Sequence, residues 1–133
     1  MKKVLIVDEA SLVNKFLESR LKREGFSVVF ATDGQQALVL IQDQKYDIIL
    51  VDLMIPNVAG RELIMEIQRN PLNSQTPIMV LTSLSSDELI VDVLASGVKD
   101  YILKPFSVNV IVAKLKQLTE FEAEMRAEEI KRA

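Results

Sequence analysis

Short unbroken apolar runs recur along the chain, at Val4 to Val7, Ile48 to Val51, Ile78 to Leu81 and Tyr101 to Leu103, with a weaker one at Val28 to Ala31. Runs of Val, Ile and Leu without alternating polar positions predict strands covered on both faces, the habit of parallel sheets. Between the runs the apolar spacing becomes helical. Leu12, Phe16, Leu17 and Leu21 share one helical face, with Ser11 placed to cap the first turn and Gly25 to stop the last. Gln35 to Gln42, Gly60 to Gln68, Asp87 to Leu94 and Val108 onward have the same character. Alternating strands and helices predict five βα units and an α/β, doubly wound open sheet with helices on both faces. Ligands of such sheets sit outside the carboxyl ends of the strands.

The polar residues gain meaning on that frame. Asp8 and Glu9 follow the first strand, Asp52 ends the third, Thr82 the fourth and Lys104 the fifth, so all five fall at one edge of the sheet. Any one of them alone has an ordinary reading: a solvated loop carboxylate, a surface lysine before Pro105, or a Thr82-Ser83 helix cap. Five at matching ends point to a site. Crowded carboxylates repel, at a cost of roughly 4 kcal/mol for two unit charges about 4 Å apart at an effective dielectric near 20. A hard divalent cation with oxygen ligands relieves that repulsion, and Mg²⁺ uses a few carboxylates together with waters and phosphate oxygens. A carboxylate beside such a cation can attack phosphorus and form an acyl phosphate. Asp8 and Glu9 are the expected metal holders and Asp52 both ligand and nucleophile, with Lys104 as a cation and Thr82 as a hydroxyl donor.

Composition narrows the alternatives. At 133 residues the chain has room for one domain and a short extra element. The 19 acidic and 16 basic residues leave a net charge of −3, against the clustered positive charge that a nucleic-acid grip needs. No Cys and no His are present, so disulfides, thiolate zinc sites and Ser-His-Asp catalysis are excluded. Any imidazole must come from another molecule. The opening MKKVLIVDEA is too short in apolar residues for a signal-peptide core, and no 18-residue apolar run spans a membrane, so the expected location is the cytoplasm.

The motifs VLIVDE, REGF, ATDGQQAL, YDIILVDLMIPNVAG, TPIMVLTS and SGVKDYILKPF together resemble the receiver domain of two-component response regulators, over about Lys2 to Leu118. The resemblance implies a flavodoxin-like fold with five parallel strands in order 2-1-3-4-5 and five flanking helices. It implies that Asp52 is the phosphoryl acceptor, Asp8 and Glu9 the acidic pair, and the backbone carbonyl of Met54 the remaining metal ligand from protein. Mg²⁺ is the implied cofactor, with Mn²⁺ as a substitute. Thr82 and Tyr101 match the family's switch pair, whose ring turns inward as the hydroxyl moves toward the phosphoryl group. Lys104 matches the phosphate-pairing lysine, and the Lys104–Pro105 bond is expected to be cis. Met54 and Leu84 match positions that tune hydrolysis, and both are apolar here. Asn14, Lys15, Glu18 and Leu21 on the first helix are the expected kinase-docking residues. The implied partners are a sensor histidine kinase or phosphotransfer protein and a downstream output protein or domain, with a homodimer on phosphorylation as a further possibility. Two positions depart from the pattern: Glu9 stands where Asp is common, and Ala59 where Asp is often found.

Other functions fit less well. Aspartyl-phosphate phosphatases place a second Asp two residues after the nucleophile, where this chain has Met54, and a flavodoxin-type cofactor binder needs a phosphate loop that DEASLVN, without glycine, does not offer. A degenerate receiver that binds partners without phosphorylation has only Glu9 in its favour. The domain boundary is expected at residue 118, with 119–133 as a helical extension or linker. Its Leu115, Leu118, Phe121 and Met125 steps suit either a solvated helix end or a connecting helix or dimer contact.

Overall fold

The computed structural model describes residues 1–9 and 11–132, apart from the side chains of Phe121, Glu122, Ala123 and Arg126. The expected contribution of Phe121 to an apolar stripe therefore lies outside the described residues. The chain runs β1 (Lys2–Val7), α1 (Leu12–Arg23), β2 (Phe26–Ala31), α2 (Gly34–Asp43), β3 (Ile48–Val51), α3 (Gly60–Arg69), β4 (Ile78–Thr82), α4 (Asp87–Ala95), β5 (Asp100–Leu103) and α5 (Val108–Arg132). All strand pairs are parallel, and the sheet order is β2-β1-β3-β4-β5. Fold class and strand order match the expectation from sequence.

The two-residue period of the strands splits their apolar side chains between two cores. Leu5, Val7, Ile49, Val51, Ile78 and Val80 face α2, α3 and α4, packing with Ile41, Leu63, Ile67 and Val93. Val4, Ile6, Ile48, Leu50, Met79 and Leu81 face α1 and α5, packing with Leu17, Leu21, Ile111 and Leu115. Each such side chain, fully buried, contributes about 1.5–3 kcal/mol. Burial on both faces explains why these strands show no polar alternation.

Element ends follow local chemistry. Ser11 caps α1 by accepting from the Asn14 N–H, Asp33 caps α2 from Gln36, and Ser86 caps α4 from Leu89. The Thr82-Ser83 pair therefore caps nothing. Ala59, at the start of α3, has no side-chain acceptor to offer. β1 and β2 begin earlier than their apolar runs because Lys2 and Lys3 pair with Phe26 and Ser27, and the Lys3 N–H donates to Asp47 Oδ2 at 2.7 Å. α5 continues unbroken past Leu118, and from Glu124 onward its described side chains are exposed. Among the described residues no helix is long and apolar enough to cross a membrane.

Candidate functional site

Three ladder bonds continue one residue beyond the strands and fix the site to the sheet edge. The Asp8 N–H donates to Ala31 O at 3.0 Å, Asp52 N–H to Val7 O at 2.9 Å and Lys104 N–H to Thr82 O at 2.8 Å. Asp8, Asp52 and Lys104 are thus each held by the neighbouring strand. The Lys104 ammonium bridges two buried carboxylates, donating to Asp8 Oδ2 at 2.7 Å and to Asp52 Oδ2 at 2.8 Å. The second oxygen of each carboxylate accepts a nearby backbone N–H, Asp8 Oδ1 from Glu9 at 2.8 Å and Asp52 Oδ1 from Met54 at 2.9 Å. The Lys104–Pro105 peptide bond is cis.

These contacts set the two acids apart. Burial opposes the charge of Asp52, but hydrogen bonds from Lys104, the Met54 N–H and Thr82 outweigh it and hold its pKa below the ordinary value. For Asp8 burial is the stronger influence, reinforced by the Asp52 charge, and its pKa is raised despite Lys104. Burial disfavours the Lys104 charge too, yet its two carboxylate partners raise its pKa. Asp52 is consequently the more firmly ionised acid.

Thr82 is completely buried. Its hydroxyl accepts from the Leu84 N–H at 3.5 Å and favours the charged form of Asp52. The Tyr101 phenol donates to the Leu84 carbonyl at 2.7 Å, and its ring packs against the core together with the Leu84 side chain. Sequence reasoning expects the ring to turn inward on phosphorylation. Here the ring is half-buried, with the Leu84 carbonyl as partner for its hydroxyl beside an apolar seat. Met54 is 56% exposed, and its sulfur accepts from the Ser83 hydroxyl at 3.6 Å.

Glu9 departs from expectation. Its side chain is exposed, and among the described residues no group of three or more acidic side chains is gathered to hold a metal. The β1–α1 turn brings the Glu9 backbone inward instead: its N–H serves Asp8 and its carbonyl accepts from Asn14 Nδ2 at 2.8 Å. The two carboxylates that remain, Asp8 and Asp52, suit a hard cation that keeps several waters. The residues present fit Mg²⁺ without Glu9, although Lys104 already engages one oxygen of each acid.

The docking expectation needs a correction. Leu21 is buried in the core and cannot meet a partner, and Asn14 is almost wholly buried, bonded to the Glu9 carbonyl, with only an edge toward the groove beside Lys104. Leu12, Val13 and Phe16 are the exposed apolar residues of α1. Beside Lys104 an open groove of about 500 Å³ is lined by Ser11, Val13, Asn14, Ser83, Pro105 and Phe106.

Sequence reasoning also missed a buried hub. Asn73 donates to the carbonyls of Ile41 at 2.7 Å and Gln44 at 3.0 Å, and its oxygen accepts from the Tyr46 N–H at 3.0 Å. The stretch NPLNSQTP, with two Asn and two Pro, carries a turn signal, which hides the role of Asn73 as a buried linker.

A family model described as the response regulator receiver domain matches residues 4–116. Among relatives, a probable transcriptional regulator ycf27 of Guillardia theta is 37% identical over 114 residues, covering 86% of this chain and 44% of its own length. The phosphate regulon transcriptional regulatory protein PhoB of Pseudomonas aeruginosa is 36% identical, covering 86% of this chain and 50% of its own. The chain thus spans about half the length of these relatives. Among solved structures, the receiver domain of Francisella response regulator 1452 superposes with a TM-score of 0.83 at 31% identity, covering 92% of this chain and 99% of its own. The receiver domain of sensor histidine kinase PA1611 from Pseudomonas aeruginosa, described with a magnesium ion in its active-site cleft, gives 0.80 at 27% identity, covering 90% and 98%.

Proposed function

We propose, from the premise that this chain belongs to the response regulator receiver domain family, that it is a phosphorylation-dependent switch of a two-component system whose acceptor is Asp52. The observation that carries this reading is the buried Asp52 carboxylate at the end of β3, bonded by the Lys104 ammonium and the Met54 N–H, contacts that hold its pKa below the ordinary value. An ionised carboxylate needs no general base. An Asp52 oxygen attacks phosphorus, the phosphorus–nitrogen bond to the donor's imidazole breaks, and its electron pair leaves with that nitrogen. Lys104 stays beside the new acyl phosphate and offsets the charge on its oxygens. Asp8, Asp52 and the Met54 carbonyl are the residues that would hold Mg²⁺, or Mn²⁺ in its place, which supplies further positive charge for those oxygens when bound.

A chain with no histidine of its own depends on a partner, a sensor histidine kinase or phosphotransfer protein. The exposed Leu12, Val13 and Phe16, together with the groove beside Lys104, are the docking surface that the geometry favours, with Lys15 and Glu18 at its margin. Residues 1–118 act as the receiver unit, in the cytoplasm, and 119–133 as the extension toward an output protein or domain. A homodimer on phosphorylation is compatible with that extension.

The test is incubation with radiolabelled acetyl phosphate, with and without Mg²⁺, for the native chain and Asp52→Ala. Label that appears only in the native chain and only with Mg²⁺ supports the reading. Equal labelling of Asp52→Ala, or none in the native chain, overturns it.

A further inference from the structure

The Asp52 carboxylate and Met54 carbonyl lie at the root of the loop from Leu53 to Ala59, and that loop is pressed from two sides by helix starts. At α3, a Cβ on Gly60 would lie 2.4 Å from Leu53 Cα and 2.9 Å from Asp52 O. At α2, a Cβ on Gly34 would lie 2.4 Å from Val58 Cβ and 2.8 Å from Val58 O. Backbone bonds tie the same points together, Gly34 N–H to Pro56 O at 3.0 Å and Gly60 N–H to Leu53 O at 3.3 Å. Between them Asn57 takes φ of 75°, and the Val58 N–H closes a tight turn onto Pro56 O at 2.9 Å. A positive-φ turn of three residues is rare and strained, and persists where its surroundings dictate it.

We propose that Gly34 and Val58 are positioning residues for the phosphoryl-acceptor site: the first turn of α2 is a stop against which the loop rests, setting the placement of Asp52 and Met54. Neither residue touches the reacting atoms, so both act through the loop. The proposal rests on the reading of Asp52 as acceptor. Ordinary contact begins at 3.4 Å, so a methyl group on Gly34 must push Val58 or α2 by about 1 Å. Gly60 closes the other side, and the displacement is passed along Val58, Asn57 and Pro56 to Met54. Misplacement of that size in a reacting geometry costs up to about a hundredfold in rate, and partial transmission leaves about tenfold.

Two variants and a reversal decide the matter. Gly34→Ala is expected to keep native far-UV circular dichroism, to label from acetyl phosphate and Mg²⁺ about tenfold more slowly, and to shift the NMR signal of the Met54 amide, which bonds Asp52. Adding Val58→Gly, which removes the nearest clashing atom, should recover part of the rate and move the amide signal back. Val58→Gly alone removes the stop without crowding and should slow labelling, which keeps the test decisive if Gly34→Ala does not fold. A folded Gly34→Ala that labels at the native rate with an unmoved Met54 amide overturns the proposal, as does native-rate labelling of Val58→Gly when Gly34→Ala is unfolded. Both outcomes leave the acceptor role of Asp52 standing. Failure of the native chain to label defeats that role instead, and the Met54 amide then reports on the loop independently.

Discussion

At the level of single residues, the opposite settings of Asp8 and Asp52 make a prediction that sequence cannot. Asp52 has a folded pKa below its ordinary value, so its stabilising contribution is present above that value and is lost as pH falls through the folded pKa. Asp8 has a raised folded pKa, so its contribution is present at low pH and is lost as pH rises through the folded pKa. In metal-free buffer at neutral pH, Asp8→Asn should therefore raise the melting temperature and Asp52→Asn lower it. Shifts of the same sign would contradict the assignment. A second prediction concerns the lifetime of the phosphorylated form. Met54 is exposed and apolar two residues after Asp52, where a polar group could orient an attacking water, while Leu84 is committed to the core and to Tyr101. Met54→Asn should speed phosphate loss by about tenfold after the donor is removed, within the usual contribution of general acid–base and positioning groups. Leu84→Glu carries a packing cost that obscures the same effect. Asp8, Asp52, Thr82 and Lys104 were legible in sequence because a strand end announces each. The outward turn of Glu9 and the burial of Asn14 were not, since a single bond from Asn14 to the Glu9 carbonyl decides both, and no sequence pattern encodes it.

Among the elements, the helices and inner strands were legible because their apolar positions repeat with the right period, whereas β1 and β2 begin on residues whose pairing, not polarity, makes them strands. The least supported helix start is that of α3, where Ala59 leaves the first-turn N–H groups without a side-chain acceptor. Ala59→Asp should stabilise the protein by about 1 kcal/mol in urea denaturation, from the cap and its charge at the helix N-terminus. No gain would mean that solvent already satisfies those groups. Asn73 ties the end of α2, the entry to β3 and the turn before β4. Asn73→Ala leaves several buried backbone groups unpaired at once, with an expected loss of about 3 kcal/mol. A loss below about 0.5 kcal/mol, the usual range of surface substitutions, would show that water replaces the bonds.

For the molecule as a whole, a cation that binds only the folded state stabilises by mass action, so millimolar Mg²⁺ should raise the melting temperature of the native chain, by about 1.4 kcal/mol of stability at ten times its dissociation constant. Asp8→Asn, Asp52→Asn should show no such rise. A rise of equal size in that double variant would place the ion elsewhere. The longest feature of the molecule is α5, in which Thr119 is the last buried residue among those whose side chains are described, and whose root is tied by Lys116 to Glu24 of the α1 terminus and by Lys114 to Asp100 of β5. From Thr119 to Arg132 the helix runs about 20 Å, at 1.5 Å per residue, and its Met125 and Glu129 line a groove with Lys45, Tyr46 and Pro77. Each degree of tilt at the root sweeps the tip by about a third of an ångström over that reach. A tilt that began at the β5 contact would therefore be felt at the groove of Met125 and Glu129, so one helix links β5 to the entries of β3 and β4.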